Sequence, residues 1–403
     1  MENVILFGIN ENAEKSVDKL FEINLLPVCF CDYNEHKENE TLYNLPVLSL
    51  ANAKKNYGTA KIYVTLDGTA QYDEIWNLIR EGHFKKCQFI NEVREKYFSC
   101  DYLESGFCAF SDGVKCCCGE DVADFDKLPV LPYDNELFSN PDIYIEKFFE
   151  QKEKLIADNK LYKKTCCTNC SYLREDYWPI DRKIRILNYS LDQSCNLKCN
   201  YCYKHQENYR PSRNNIDIIK IIQAIKLSKY VDLEYPVFYA SGELCIQPNA
   251  NEILDNLSEY EVSIFTNATK YNQKLHDLIK KPKSCAVISL DSGTRETYEK
   301  VKGYDLFEEV CNNIKKYASD GGHIILKYII KEENTNSVDL DGFINLCVSC
   351  GIKNIRISRD WRIGGVEEET PELKSASARM LYKAHKNNIK CYTNGTTVCQ
   401  EWI

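Results

Sequence analysis

The residues Cys195-Asn-Leu-Lys-Cys199-Asn-Tyr-Cys202 follow almost at once on an apolar run at 184–189, and this pairing decides the fold. The run reads as a strand, and the three cysteines fall in the loop after it. Downstream, strand and helix patterns alternate. Strands are predicted at 184–189, 236–240, 261–266, 286–291, 323–330 and 354–358. Helices fall between them at 216–229, 251–260, 272–280, 305–318 and 337–350. Six strand–helix units suit a partial (β/α)6 barrel, whose functional groups sit at the strand C-terminal ends.

Thiolates are soft ligands suited to iron–sulfur clusters. A cubane has four irons, so three local cysteines leave one iron open to an outside ligand. Random placement of the chain's 21 cysteines would give this spacing only about 0.06 times. A structural zinc site needs four ligands, so the triad would have to borrow one, for instance His205. Ferredoxin-type electron transfer would place a fourth cysteine nearby. Neither alternative accounts for the motifs downstream.

With those motifs the stretch 183–358 resembles the radical S-adenosylmethionine (SAM) core. The resemblance implies a SAM-binding [4Fe–4S] cluster on Cys195, Cys199 and Cys202, which would split the sulfonium reductively to a 5′-deoxyadenosyl radical. Tyr201 stands where the family places an aromatic residue near the adenine. Ser241-Gly242-Glu243, after the second strand, is similar to the family's Gly-Gly-Glu motif, which binds the methionine amino group. Ser289-Leu290-Asp291-Ser292-Gly293-Thr294 is similar to segments lining the ribose and substrate cavity. Thr266 and Asn267 look like further cavity residues. Lys327 is a candidate for the methionine carboxylate or a solvated strand residue, and the backbone at Ile357 is a candidate adenine contact.

A second group comprises Cys100, Cys108, Cys116, Cys117, Cys118, Cys166, Cys167 and Cys170. It resembles the auxiliary-cluster elements of SPASM or twitch-type proteins, which follow the barrel in that family and precede it here. The resemblance implies one auxiliary [4Fe–4S] cluster held by Cys100, Cys117 or Cys118, Cys167 and Cys170. Zinc and a reactive thiol array are the alternatives. Isolated cysteines such as Cys285, Cys311 and Cys347 read as small buried side chains. Cys391 and Cys399 in the tail are candidates for late ligands or a hydrogen-donating thiol.

The first 96 residues read as a small Rossmann-like parallel-sheet unit. Its turn Gly8-Ile9-Asn10-Glu11-Asn12-Ala13, with Asp32 downstream, is a degraded dinucleotide fingerprint. The organisation expected is this unit at 1–96, a Cys-rich region at 97–180, the radical SAM core at 181–360 and a C-terminal helix and tail at 361–403.

The 403 residues, 44% hydrophobic and 28% charged, suffice for a buried core in more than one domain. A net charge of −9 with interspersed cations argues against nucleic acid as partner. No apolar stretch is long enough to span a bilayer, and many clustered thiols suit a reducing, cytoplasmic setting. The expected function is hydrogen abstraction from a peptide or a sugar- or nucleotide-linked small molecule. An external one-electron donor of flavodoxin or ferredoxin type would serve it. The competing class is a non-catalytic iron–sulfur or zinc scaffold.

Overall fold

A computed structural model of the chain describes residues 2–9, 13–22, 25–31, 38, 40–65, 87–89, 95–117, 127–170, 172–178, 181–191, 193–205, 217–360 and 369–394. It divides into two compact units. The first is Met1–Cys100, Asp121–Asp124 and Glu153–Arg182, and the second is Asp101–Glu120, Phe125–Lys152 and Lys183–Ile403.

The first unit carries a six-stranded sheet of β1 (Glu2–Phe7), β2 (Leu25–Cys31), β3 (Thr41–Leu42), β4 (Leu45–Leu48), β5 (Lys61–Val64) and β6 (Cys87–Phe89). Their order is β3-β4-β2-β1-β5-β6, parallel except for the β3–β4 hairpin. Successive side chains of a strand point to opposite faces, and β1 uses both. Ile5 and Phe7 pack with Ala53 of helix α2 (Leu50–Tyr57), while Val4 and Leu6 pack with Ala13, Val17 and Leu20 of α1 (Ala13–Glu22). The chain leaves β1 through Gly8, whose φ of 98° suits glycine, and the Thr65 hydroxyl donates to the Gly8 carbonyl. Asn10, Glu11, Asn12 and Asp32 of the fingerprint lie outside the described residues. A separate ladder in this unit pairs Glu95–Ser99 antiparallel with Arg174–Trp178.

The second unit is built on nine strands: β7 (Gly106–Phe110), β8 (Gly113–Lys115), β9 (Ile186–Tyr189), β10 (Val237–Tyr239), β11 (Val262–Thr266), β12 (Cys285–Ser289), β13 (Ile324–Ile330), β14 (Asn354–Arg359) and β15 (Lys390–Asn394). From β9 to β15 they lie in chain order, all parallel, each beside its predecessor. The six strands expected from the sequence are β9–β14. Among the described residues no ladder joins the two edges, so the sheet is open.

The sheet is wider than expected at both ends. β7 adds in parallel to β9, pairing Gly106 with Ile186 and Ala109 with Tyr189, and returns through β8. Its core residues Phe107, Cys108 and Ala109 are wholly buried. At the other edge β15, drawn from the tail, pairs with β14.

Most of the helices between the strands, α4 and α7 excepted, begin where a short polar side chain accepts from their free amides. Asp217 caps α3 (Ile218–Lys226), and Asn272 caps α5 (Gln273–Leu278), which follows α4 (Ala250–Leu257). Thr294, the last residue of the motif at 289–294, caps α6 (Arg295–Lys302). After α7 (Phe307–Ala318), Asn336 caps α8 (Ser337–Ser349) and Thr370 caps α9 (Pro371–Lys386). Gly293 lies against α8 so closely that a Cβ there would meet the Asp339 carbonyl oxygen at 1.8 Å and the Phe343 nitrogen at 2.3 Å. Gly293→Ala is therefore expected to cost about 3 kcal/mol of stability, read as a lowered midpoint in chemical denaturation. An unchanged midpoint would show that this backbone contact gives way freely.

Candidate metal centre

The three cysteines lie in the loop beyond the C-terminal end of β9. That loop has little regular structure, so its position is set by what grips it. Glu243 N–H and the Gln247 side-chain amide both donate to the Ser194 carbonyl, at 2.9 and 2.8 Å. Tyr239 OH donates to the Gln193 side chain at 2.6 Å. On the other flank, Lys198 N–H and Asn200 N–H donate to the carbonyls of Lys302 and Val301, at 3.1 and 3.0 Å. Asn267, beyond β11, donates to the Asn196 side chain at 3.0 Å and lies 3.7 Å from the Cys195 sulfur. Two strand ends and one helix end thus hold the loop.

Cys195 is exposed, and Cys199 and Cys202 are half-buried. Burial pushes the Cys199 and Cys202 thiols above their ordinary value, and the neighbouring thiols add to the rise. At Cys199 the Lys302 ammonium opposes it. The three sulfurs therefore feel one another. Three soft thiolates that influence one another's ionisation are a donor set suited to an iron–sulfur cluster. The His205 ring nitrogen contacts the Leu197 carbonyl at 3.2 Å.

The turn at 241–243 sits directly against this loop. Gly242 has φ of 46°, and a Cβ there would meet the carbonyl oxygens of Gln193 at 2.3 Å and Ser194 at 2.6 Å. Ser241 is buried, its hydroxyl donating to the Tyr189 carbonyl. Glu243 is fully buried, and burial pushes its carboxyl above the usual carboxylate range. One of its oxygens accepts from Cys245 N–H at 3.1 Å and Thr266 OH at 2.7 Å, and the other from Asn267 N–H at 2.5 Å. Glu243 and Thr266 are thus joined, and together they brace the end of β11.

On the sheet, register places Ser289, Lys327 and Arg356 in one row across β12, β13 and β14. The Lys327 ammonium and the Arg356 guanidinium lie 6.0 and 5.9 Å from the Phe265 ring. The sequence reading missed Arg356 because alternation alone does not mark it out. Ile357, the next residue on β14, is wholly buried on the opposite face.

Asp291, at the end of β12, is completely buried. It sits at φ of 55°, which Asp tolerates better than most residues. Its carboxylate accepts from Tyr201 OH at 2.6 Å and Ile329 N–H at 2.7 Å, and pairs with the buried ammonium of Lys302. Tyr201 is correspondingly drawn into this pair. Nearby, Asp339 accepts from the Ser292, Thr294 and Tyr328 hydroxyls. Lys302 and Asp339 were absent from the sequence reading, because a charged residue in an amphipathic helix reads as solvated.

The second cysteine group is divided. In the first unit, Cys167 and Cys170 lie in a tight turn closed by Cys170 N–H donating to the Cys167 carbonyl at 3.0 Å. Ser99 pairs with Arg174 in that unit's ladder, so Cys100 leaves the ladder at the end where this turn enters it. Cys100 and Cys167 are buried and Cys170 is half-buried. Cys117 is half-buried in the second unit, and Cys118 and Cys399 lie outside the described residues. Cys347 is wholly buried as expected, its thiol pushed up to about 12, while Cys285 and Cys311 are half-buried.

A chain-order parallel α/β sheet with a three-thiol loop at the end of an early strand is an arrangement suited to holding a cluster. Residues 189–340 match the family model of the Radical SAM superfamily. The antilisterial bacteriocin subtilosin biosynthesis protein AlbA of Bacillus subtilis is 27% identical over 156 residues, 36% of this chain and 33% of that protein. A probable GTP 3′,8-cyclase of Saccharolobus islandicus is 28% identical over 186 residues, 44% of this chain and 57% of that one. The matches thus span a third to 57% of these curated relatives. The crystal structure of Streptococcus suis SuiB bound to precursor peptide SuiA superposes with a TM-score of 0.42 at 13% identity, over 74% of this chain and 73% of that one.

Glu243→Gln tests how the turn is held. The substitution turns an amide N–H₂ toward a backbone N–H and leaves a buried donor unsatisfied. A loss of about 1–3 kcal/mol is expected in denaturant unfolding. Unchanged stability would mean that the carboxylate does not brace β11.

Proposed function

We propose that the protein is a radical SAM enzyme whose SAM-binding [4Fe–4S] cluster is held by Cys195, Cys199 and Cys202. The observation that carries this reading is the grip on the cysteine loop by the 241–243 turn and the ends of β11 and α6. When bound, a cluster with one iron uncapped by protein takes SAM and, on one-electron reduction, yields a 5′-deoxyadenosyl radical that abstracts hydrogen from substrate. The chain's own residues supply position. Gly242 lets the backbone approach the cluster loop, and Asn267 ties that loop to β11. Lys327 and Arg356 offer positive charge beside Phe265 for a carboxylate, with Tyr201, Ser241, Thr266, Ser289 and the backbone at Ile357 as further cofactor contacts. The radical SAM core is read as 181–360, preceded by a Rossmann-like unit at 1–96 and a Cys-rich region at 97–180.

An auxiliary [4Fe–4S] cluster on Cys100, Cys117 or Cys118, Cys167 and Cys170 belongs to the same reading. The local support is the Cys167–Cys170 turn beside the end of the ladder that Cys100 leaves. The substrate class proposed is a peptide, in keeping with the role in bacteriocin biosynthesis that AlbA's name states, with a nucleotide-linked small molecule second. An external low-potential donor in the cytoplasm would supply the electron. Among the described residues no helix is long and apolar enough to cross a membrane.

Anaerobic reconstitution of the full chain, followed by dithionite and SAM, tests the reading. It should give 5′-deoxyadenosine and methionine, with about eight irons per chain for two clusters and about four for one. Cys199→Ala should lower 5′-deoxyadenosine formation to background while the far-ultraviolet circular dichroism stays unchanged. Iron uptake without SAM cleavage would favour a non-catalytic scaffold instead.

A further inference from the structure

One buried charge beside the cysteine loop has no task in the chemistry above. Lys302 ends α6, its side chain is 1% exposed, and its ammonium pairs with Asp291, 0% exposed. It also donates to the Tyr201 hydroxyl at 2.9 Å. Its backbone carbonyl receives Lys198 N–H, so the residue touches the loop by both main chain and side chain. The Tyr201 hydroxyl donates to the Asp291 carboxylate at 2.6 Å, which sets that carboxylate directly beside the cysteine loop. Burial makes the arrangement costly unless the charges match. Lys331, whose ammonium lies 5.7 Å from the Tyr201 ring centre, is already paired with Asp360 at 2.8 Å, so Lys302 is the counter-charge to Asp291.

We propose that Lys302 is a positioning residue that keeps the reduction potential of the Cys195–Cys199–Cys202 cluster high enough for its electron donor, by neutralising the Asp291 carboxylate beside the cysteine loop. This rests on the reading of those cysteines as cluster ligands. The step concerned is the gain of one electron from the external donor, taking the cluster from the 2+ to the 1+ state. An added electron is disfavoured by nearby negative charge, and in a low-dielectric interior the effect is large. Without Lys302, an unmatched carboxylate would stand beside the cysteine loop. Neutralising Asp291 as well should undo this.

The test is a redox titration of the reconstituted full chain, followed by electron paramagnetic resonance. Only the signal that changes on adding SAM is followed, which separates it from any second cluster. At a fixed solution potential, Lys302→Met should lower the ratio of reduced to oxidised cluster about tenfold, a shift of about 59 mV for one electron. Lys302→Arg, and the double variant Lys302→Met with Asp291→Asn, should return it to within about twofold of wild type. A purely structural role for Lys302 would change iron retention or unfolding but leave the potential of the loaded cluster alone. Should Lys302→Met fail to fold, Asp291→Asn leaves the buried ammonium unmatched and should raise the ratio about tenfold. The proposal is overturned if the loaded single variant titrates as wild type, if the double variant stays as low as the single, or if Asp291→Asn has no effect. A wild-type chain with no SAM-responsive signal would instead remove the cluster reading, and this proposal with it.

Discussion

The second unit depends on one constraint: three closely spaced thiols are held in place on a stretch of chain with little secondary structure of its own. A loop is ordinarily the most mobile part of a domain. Here its main-chain groups are spent on neighbours that are themselves rigid. Ser194 accepts from two residues of the turn after β10, and Lys198 and Asn200 donate into the last turn of α6. The carbonyls at that helix end have no partners within the helix, so the loop satisfies groups that would otherwise need water. Gly303, left-handed at φ of 78°, ends α6 and leaves room for the Lys198 carbonyl. The termination of one helix and the placement of the thiols are the same piece of structure.

Buried carboxylates extend that logic beneath the loop. Asp291, Asp339 and Glu243 are each wholly buried, and each accepts several hydrogen bonds. Glu243 ties the turn after β10 to the end of β11. Asp291 ties the end of β12 to β13 through Ile329 N–H, and Asp339 ties the loop after β12 to α8 and Tyr328. Each carboxylate spans a seam between successive strand–helix units, at the strand ends where the functional groups gather. Such groups are poor sources of net stability, because desolvation offsets most of the attraction. Their geometry is demanding, however, and a displaced partner leaves an unpaired charge. They therefore suit a role in fixing the relative positions of loops more than in adding to stability.

What could be read in the sequence follows from which signals are local. Strands β9 to β14 were legible because each is a run of apolar residues bounded by turn or helix signals. The helix caps were implicit in Asp217, Asn272, Thr294 and Asn336. β7 was not legible: Gly-Phe-Cys-Ala-Phe is short and lies among cysteines, so composition suggested a metal-binding region where the chain in fact extends the sheet. β15 was hidden for a related reason, since Lys390–Asn394 is polar and takes its place by pairing with β14. Among site residues, the cysteines and the 241–243 turn announced themselves by spacing. Lys302 did not, because its burial depends on Asp291 lying eleven residues earlier and on Tyr201 about a hundred residues earlier, and no local pattern records such meetings.

The wider sheet bears on how the site is enclosed. A six-stranded partial barrel would leave β9, the strand that carries the cysteine loop, at an edge with one row of backbone groups unpaired. Edge strands are exposed to slippage and to pairing with other chains. The parallel addition of β7 places β9 between two partners, and Arg185 N–H and Ser190 N–H, just outside β9, donate to the carbonyls of Ser105 and Ala109. The strand feeding the thiols is thereby fixed along its whole length, and the loop begins from an interior position. β7 is itself covered by β8, and Val114 of β8 bridges to Leu131 in turn, so β9 lies well inside the sheet. The residues 106–115, which the sequence assigned to a separate Cys-rich region, thus serve the barrel first.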